Sequence, residues 1–139
     1  MDTAVAVIPK SRASGLAAFL SGRLPAQSAP WVVSLNGQAA IFLNIVSAEE
    51  ADLEPTDLRQ LKLRLEAEEL TALLADVSVR NIGCSELREL MAEVLERFSG
   101  LASDDVAAHW WTAEEIRRPE QFDMQPFWPH EVKSLNPSR

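Results

Sequence analysis

The Asn36-Gly37 pair constrains the fold of this chain more than any other short motif in it. It separates two apolar runs, residues 31–35 and 38–46, whose composition is typical of strands. Asn-Gly is favoured in type I′ turns, because both central residues of that turn have positive φ and its twist matches the flanking strands. The pair therefore predicts a β-hairpin, with an antiparallel sheet built around it.

The residues before the hairpin predict one strand and one short helix. Residues 3–8 are small or β-branched and stop at Pro9, which has no N–H to donate within a sheet. Residues 11–20 contain serines that can cap a helix, and their apolar side chains recur at helical spacing. We expect the helix to end before Pro25.

Residues 49–57 contain five acids and no base, which predicts an exposed loop. The run contributes −5 to a net charge of −8, so charge is unevenly placed along the chain. Complementary charge speeds the association of two proteins, so these acids are candidate contacts for a basic partner. They are Glu49, Glu50, Asp52, Glu54 and Asp57.

The two segments that follow the acidic run predict a strand and then a helix. Residues 61–66 alternate leucine with charged residues, which favours a half-exposed strand. A helix is the alternative here, because Leu58, Leu61 and Leu65 lie three and four residues apart. Residues 68–75 begin with acids, which a helix dipole favours, and continue with strong helix formers, so we predict a helix there.

Three further segments complete the predicted elements. Residues 77–83 alternate and end at glycine, which predicts a short strand. Residues 85–98 have an apolar stripe at helical spacing with charges opposite, and they predict the clearest helix of the chain. Thr112, followed three residues later by Glu115, has the spacing of a capping box and predicts the start of a short helix.

Together these patterns predict a single α+β domain over residues 1–118. A chain of 139 residues has about the length of one domain. The alternating strands favour a mainly antiparallel sheet with helices packed on one face. Residues 119–139 carry four prolines among Phe122, Phe127 and Trp128, so we predict an irregular tail that docks on the domain.

The charge and hydropathy patterns exclude several classes of protein. A net charge of −8 and a pI near 4.7 argue against binding to nucleic acid. The longest apolar run, residues 39–46, is far shorter than the ~20 residues of a membrane span, and the first residues lack the basic region of a signal peptide. A single cysteine cannot form an intramolecular disulfide. We therefore expect a cytoplasmic protein that binds neither membrane nor nucleic acid.

The motifs that usually carry catalysis or bind a cofactor are missing from the sequence. His109 and His130 are the two histidines, and they lie 21 residues apart with no HxxxH or CxxC spacing in the sequence. No nucleophile elbow, P-loop or dinucleotide-binding loop occurs. We therefore predict a non-enzymatic protein without a metal or a cofactor.

One alternative from another class remains open. Cys84, His109 and either Asp104 or Asp105 are the residue types of a thiol-nucleophile triad. A small enzyme or ligand-binding protein could therefore use a pocket around Cys84, His109 and Trp110. A single cysteine is also commonly a buried packing residue.

The Trp110-Trp111 pair has two interpretations. The rings could cap the hydrophobic core, or they could anchor a partner protein, because tryptophan is enriched among the residues that dominate binding energy. The choice depends on burial, so both residues are candidate partner-binding positions.

The carboxyl-terminal third of the chain resembles small bacterial immunity proteins that neutralise polymorphic or contact-delivered toxins. The resemblance rests on a helix that ends in Arg97-Phe98-Ser99-Gly100, an Asp104-Asp105 loop, and the segment Trp111-Thr112-Ala113-Glu114-Glu115-Ile116, which together span 20 of the 139 residues. It implies a cytosolic, non-enzymatic inhibitor with an acidic binding face. We therefore expect the chain to bind and block a basic partner protein.

Overall fold

The structure is a computed structural model that describes residues 2–25, 27, 29–35, 37–78, 84–104 and 109–128. Its centre is a five-stranded antiparallel sheet with the strand order β2-β3-β4-β1-β5. This architecture confirms the predicted single α+β domain. The elements in chain order are β1 (Asp2–Pro9), α1 (Ala13–Arg23), β2 (Trp31–Leu35), β3 (Gln38–Ser47), α2 (Pro55–Arg64), β4 (Leu70–Val77), α3 (Cys84–Phe98), β5 (Leu101–Ser103) and α4 (Ala113–Arg117), with 3-10 turns at Lys10–Arg12 and Pro119–Phe122.

The predicted hairpin is confirmed by the pairing of β2 with β3. Leu35 is the partner of Gln38, so two residues connect the strands. Gly37 has a φ of 76°, the left-handed conformation that glycine adopts without strain. The turn type also depends on Asn36, which lies outside the described residues.

The strand predicted over residues 61–66 is wrong, because this segment belongs to helix α2. Leu58, Leu61 and Leu65 line one side of the helix and its end, where they pack against buried residues, whereas Leu63 is 74% exposed. The helix begins at Pro55, and proline is favoured in the first turn because its missing N–H is not needed there. Asp57 lies in the first turn and two basic residues lie in the last turn, where their charges interact favourably with the helix dipole. These end signals favour the helix over the alternation.

The helix predicted over residues 68–75 is also wrong, because the segment forms β4. This strand lies between β3 and β1, so both of its edges are paired. Six of its eight residues are buried, on both faces of the sheet. A strand buried on both faces has no reason to alternate, and a short apolar run cannot be distinguished from a buried helix by its periodicity.

The other local predictions have mixed outcomes. The strand at residues 3–8 falls within β1, the helix at 85–98 falls within α3, and the helix predicted from residue 11 begins as a 3-10 turn before α1. Of the strand predicted over residues 77–83, Val77 ends β4 and Ser78 is in no strand. Residues 79–83 lie outside the described part of the chain.

The two faces of the sheet bear different elements. Alternate residues of β1, among them Ala6 and Ile8, belong to a large core with α1, α3 and α4. The intervening residue Val7 belongs to a smaller cluster with Leu61 of α2. Most of the helices therefore pack on one face, as predicted, and α2 packs on the opposite face.

The aromatic residues after α4 differ in burial. Phe127 and Trp128 are both 0% exposed and belong to the large core. The Asp104 carboxylate accepts a hydrogen bond from the Trp128 backbone N–H at 3.0 Å, which ties this segment to the end of β5. Phe122, which the sequence predicts to pack, is 42% exposed.

Candidate protein-binding surface

The first candidate surface is the acidic turn, residues 48–54, which connects β3 to α2. The Glu50 carboxylate accepts hydrogen bonds from the backbone N–H and the hydroxyl of Ser47, both at 3.1 Å. The Ser47 hydroxyl in return accepts the backbone N–H of Glu50, and the Asp52 N–H donates to the Glu49 carbonyl. These contacts hold the turn in one conformation while its four carboxylates lie at exposed residues.

The exposed loop predicted over residues 49–57 is shorter in the structure. Helix α2 begins at Pro55, so Asp57 lies in its first turn and is only half-buried rather than part of a loop. A carboxylate there interacts favourably with the positive end of the helix dipole. Asp57 therefore contributes to the start of the helix, and the candidate acids on the turn are Glu49, Glu50, Asp52 and Glu54.

Cations lie on one side of the acidic turn. The pKa of Lys10 is raised, first by its hydrogen bond and ion pair with Glu69, whose Oε2 lies 3.0 Å from Nζ, and further by the charge of Glu49. Glu49, Lys10 and Lys62 also line one cavity of about 340 Å³. The side of the turn that carries Glu49 is thus partly neutralised, whereas Asp52 and Glu54 have no cation paired with them in the described residues.

The two adjacent tryptophans have different environments. Trp111 is 2% exposed and belongs to the large core, where its ring meets the Phe127 ring edge-on at 5.4 Å between centroids. Trp111 is therefore a core residue, as in the interpretation that the rings cap the hydrophobic core, and its contact with a partner stays a prediction. Trp110 is half-buried and packs on the smaller cluster, on the same face of the sheet as α2.

The structure therefore brings two predicted features to one face of the sheet. Leu53 of the acidic turn and Trp110 both pack against the smaller cluster. The members of this cluster are Val7, Ala48, Leu61, Leu70 and Leu101. An aromatic side chain and a group of carboxylates thus share the face that α2 covers, although 56 residues separate Glu54 from Trp110 in the sequence.

His109, a member of the alternative thiol-nucleophile triad, contacts Glu115 at the start of α4. Glu115 Oε1 lies 3.1 Å from His109 Nε2 and accepts the Thr112 backbone N–H at 2.9 Å. Burial acts to raise the pKa of Glu115, but these hydrogen bonds from Thr112 and His109 outweigh it and lower the pKa below its ordinary value. The Thr112 hydroxyl accepts the Glu115 N–H, so the predicted capping box is confirmed.

The structure describes the other residues of that triad only in part. Cys84 begins α3, but its side chain lies outside the described residues, as does Asp105. Asp104 binds the backbone of Trp128. The pocket around Cys84, His109 and Trp110 therefore stays a prediction.

A second acidic surface was missed in the sequence. It is a row of carboxylates on the outer side of α3, spaced three, four and three residues apart: Glu86, Glu89, Glu93 and Glu96. The spacing is the signal that could have revealed it, because residues three and four apart share one side of a helix. The charges opposite the apolar stripe were predicted, but the arrangement of these carboxylates in one row was not.

Arginines from three helices pair with most of this row. Arg23 and Arg97 both contact Glu93, and Arg117 contacts Glu89 at 3.2 Å and Glu96 at 2.9 Å. Burial acts to raise the pKa of Glu93, but the hydrogen bonds and charges of Arg23 and Arg97 outweigh it and lower the pKa. The row therefore ties α1 and α4 to α3.

The described residues contain neither a group of metal ligands nor a helix that could span a membrane. No three or more His, Cys, Asp or Glu side chains of that part of the chain are grouped so that they could hold a metal ion. None of the helices described above combines the length and the apolar character that a membrane crossing requires.

Comparison with known proteins gave no relatives of this chain. No protein-family model, no curated protein and no solved structure matches it.

Proposed function

We propose that this chain is a non-enzymatic protein-binding protein, an immunity-type inhibitor that binds and blocks a basic partner. The observation that carries the proposal is the acidic turn, which is hydrogen-bonded internally and lies on the same face of the sheet as the half-buried Trp110. The weak resemblance to bacterial immunity proteins supports the same class, with a cytoplasmic toxin or effector domain as the partner.

The turn supplies charge in a conformation that needs little ordering on binding. Its side-chain-to-backbone hydrogen bonds between Ser47 and Glu50 already fix the backbone. A surface that is ordered before association loses less conformational entropy when the complex forms. Exposed carboxylates at its rim would mainly raise the rate of encounter with a basic protein.

Trp110 supplies the apolar part of the proposed interface. Tryptophan contributes large buried area at interface centres, where truncation often costs more than ~2 kcal/mol. In the proposed complex, Trp110 contributes to the lifetime and the acidic turn to the association rate. The partner is inhibited because the bound domain covers its basic surface.

The test applies where the gene next to that of this chain encodes a larger protein with a basic, toxin-like domain, and that domain is the partner used. The triple variant Glu49→Gln, Asp52→Asn and Glu54→Gln removes three charges but keeps Glu50, which holds the turn. At low ionic strength we expect its association to be about tenfold slower. At ~0.5 M salt, where the Debye length is about 4 Å, variant and parent should associate at similar rates.

A matched control removes the same charge elsewhere. Glu68→Gln, Glu114→Gln and Glu120→Gln change three other exposed acids, and we expect this variant to associate at nearly the parental rate. Trp110→Ala should instead accelerate dissociation at every salt concentration. If toxic activity is unaffected by an excess of the parent protein, the proposed function is wrong. Equal association rates for the turn variant and its control would exclude the acidic turn as the contact surface.

A further inference from the structure

A small cavity opens on the helix-bearing face of the sheet, between the end of α1, the β2–β3 hairpin and the start of α3. Its volume is about 230 Å³. Its apolar residues are Leu24, Val33, Ile41 and Leu90, and its charged residues are Arg23, Glu86 and Glu89. Sites for drug-sized molecules usually measure ~300–1,000 Å³, so this cavity suits a smaller group such as a single side chain.

The lining of the cavity divides into an apolar floor and a charged rim. Ile41 and Leu90 are buried members of the large core, whereas Glu86 and Glu89 are exposed residues of α3. A long aliphatic side chain with a charged end has the same division, because such side chains bury their methylene groups and keep the charged head at the surface.

The α3 carboxylate row, to which Glu86 and Glu89 belong, has one acid more than the arginines that pair with it. The carboxylate row of α3 contains four acids, and the arginines that pair with it are Arg23, Arg97 and Arg117. Arg23, the cation at the cavity, is engaged by Glu93. Among the described residues Glu86 forms no ion pair, so the excess carboxylate lies at the mouth of the cavity. A cationic head group would complement it.

We infer that this cavity binds the side chain of a lysine projected by another protein, with the methylene groups on the apolar floor and the ammonium group at Glu86. Lysine fits better than a wholly apolar residue, which would leave Glu86 without a counterion. The cavity lies on the opposite face of the sheet from the acidic turn and Trp110. The inference therefore stands independently of the proposed function.

The test titrates the full chain with n-pentylamine, which is an alkylammonium ion at pH 7 and stands in for the lysine side chain. Methyl NMR signals of Leu24, Val33, Ile41 and Leu90 should shift on titration. The uncharged n-pentanol has a similar chain length without the charge, and pentanoate reverses the charge. We expect n-pentanol to bind about three- to fivefold more weakly, the effect of one exposed ion pair, and pentanoate to produce no shifts at these methyl groups.

A variant pair separates the role of the rim from a general effect of charge. Glu86→Gln should weaken n-pentylamine binding about three- to fivefold, whereas Glu114→Gln, an exposed acid on α4, should leave it unchanged. Unchanged backbone spectra away from residue 86 would establish that the variant keeps its fold.

Three outcomes would overturn the inference. The first is equal binding of n-pentylamine to the parent and to Glu86→Gln. The second is equal binding of n-pentylamine and n-pentanol, which would mean that the carboxylates do not contribute. The third is a concentration-dependent shift of the same methyl signals without added amine, which would identify a second copy of this chain as the occupant.

Discussion

The two faces of the sheet are packed to different extents. One face is covered by α1, α3 and α4, together with Phe127 and Trp128. The other is covered by α2, with Leu53 of the acidic turn and Trp110 beside it, over a smaller cluster of five buried residues that includes Leu61 of α2 itself. The small residues Ala4 and Ala6 of β1 face the first side, where they leave room for the large side chains that pack against them, whereas Val5 and Val7 face the second.

This difference determines how deeply the candidate residues of the sequence are buried. The large core buries four aromatic side chains: Trp31, Phe127, Trp128 and the predicted candidate Trp111. The sparsely covered face keeps Trp110 and the acidic turn near solvent. We expect truncations in the large core to cause the largest losses of stability, and substitutions of Trp110 and the acidic turn to change mainly the proposed binding.

The largest effect should come from truncating the tail aromatic residue in the large core. Phe127→Ala should lower the free energy of unfolding by about 3–5 kcal/mol, because it removes a fully buried ring and leaves a cavity beside Trp111. Urea denaturation measures the change. Phe122→Ala is the matched control at an exposed position and should cost less than ~1 kcal/mol. Equal losses for the two variants would mean that residues 123–128 do not pack in the core.

A smaller loss is expected for the helix on the other face. Leu61→Ala in α2 should cost about 2–3 kcal/mol, because Leu61 is buried in the smaller cluster. Leu63→Ala in the same helix should change stability by no more than ~0.5 kcal/mol, because Leu63 is 74% exposed. If residues 61–66 formed the strand that their alternation suggests, Leu63 would share a face with Leu61 and the two variants would lose similar stability.

The hairpin contributes Trp31, Ile41 and Leu43 to the large core, so loosening its turn tests that core at another place. Gly37→Val should cost about 1–2 kcal/mol, because a β-branched residue is strained at a φ of 76°. Gly22→Ala in α1 should instead stabilise the protein by about 0.5–1 kcal/mol, since an added Cβ there meets no atom within 4 Å. An unchanged midpoint of thermal unfolding for Gly37→Val would exclude the left-handed turn.

The smallest effect concerns the pH dependence of the capping box on the helix-bearing face. The pKa of Glu115 is lower in the folded chain than its ordinary value of 4.5. Its contribution to stability is therefore complete above that value and is lost as the pH falls through the folded pKa. Glu115→Gln should reduce stability by less than ~1 kcal/mol at pH 7 and make the loss below pH ~4.5 shallower.

Chemical denaturation between pH 3 and 7 would measure this dependence. Glu114→Gln, in the same helix turn, is the control and should keep the parental slope. If Glu115→Gln retains the parental pH dependence, the interaction with Thr112 and His109 does not stabilise the folded state.

The sequence alone determined the elements whose signals are local. The hairpin follows from glycine in a two-residue turn, α3 from an apolar stripe over 15 residues, and α4 from the Thr112 and Glu115 capping box. Each of these elements is specified by residues that lie close together in the chain, through their hydrogen bonds or their shared apolar face. The antiparallel α+β class followed from these elements.

Tertiary structure decided the region between the hairpin and α3. Residues 70–77 became a strand because β1 and β3 pair with both of their edges, and their burial on two faces removed the alternation that identifies strands. The position of α2 depends on its packing against the smaller cluster, in which Leu61 meets residues of β1, β4 and β5. Such contacts join residues that are distant in sequence, so local patterns do not record them.

The candidate surfaces depend both on the local sequence and on tertiary packing. The charge of residues 49–54 and the pair of tryptophans are evident in the sequence, but only the fold buries Trp111 and leaves Trp110 on the face of the acidic turn. The cavity at Glu86 likewise needs side chains from α1, β2, β3 and α3. Burial depends on how elements pack against one another, and that packing determines which residues of a sequence pattern remain available to a partner.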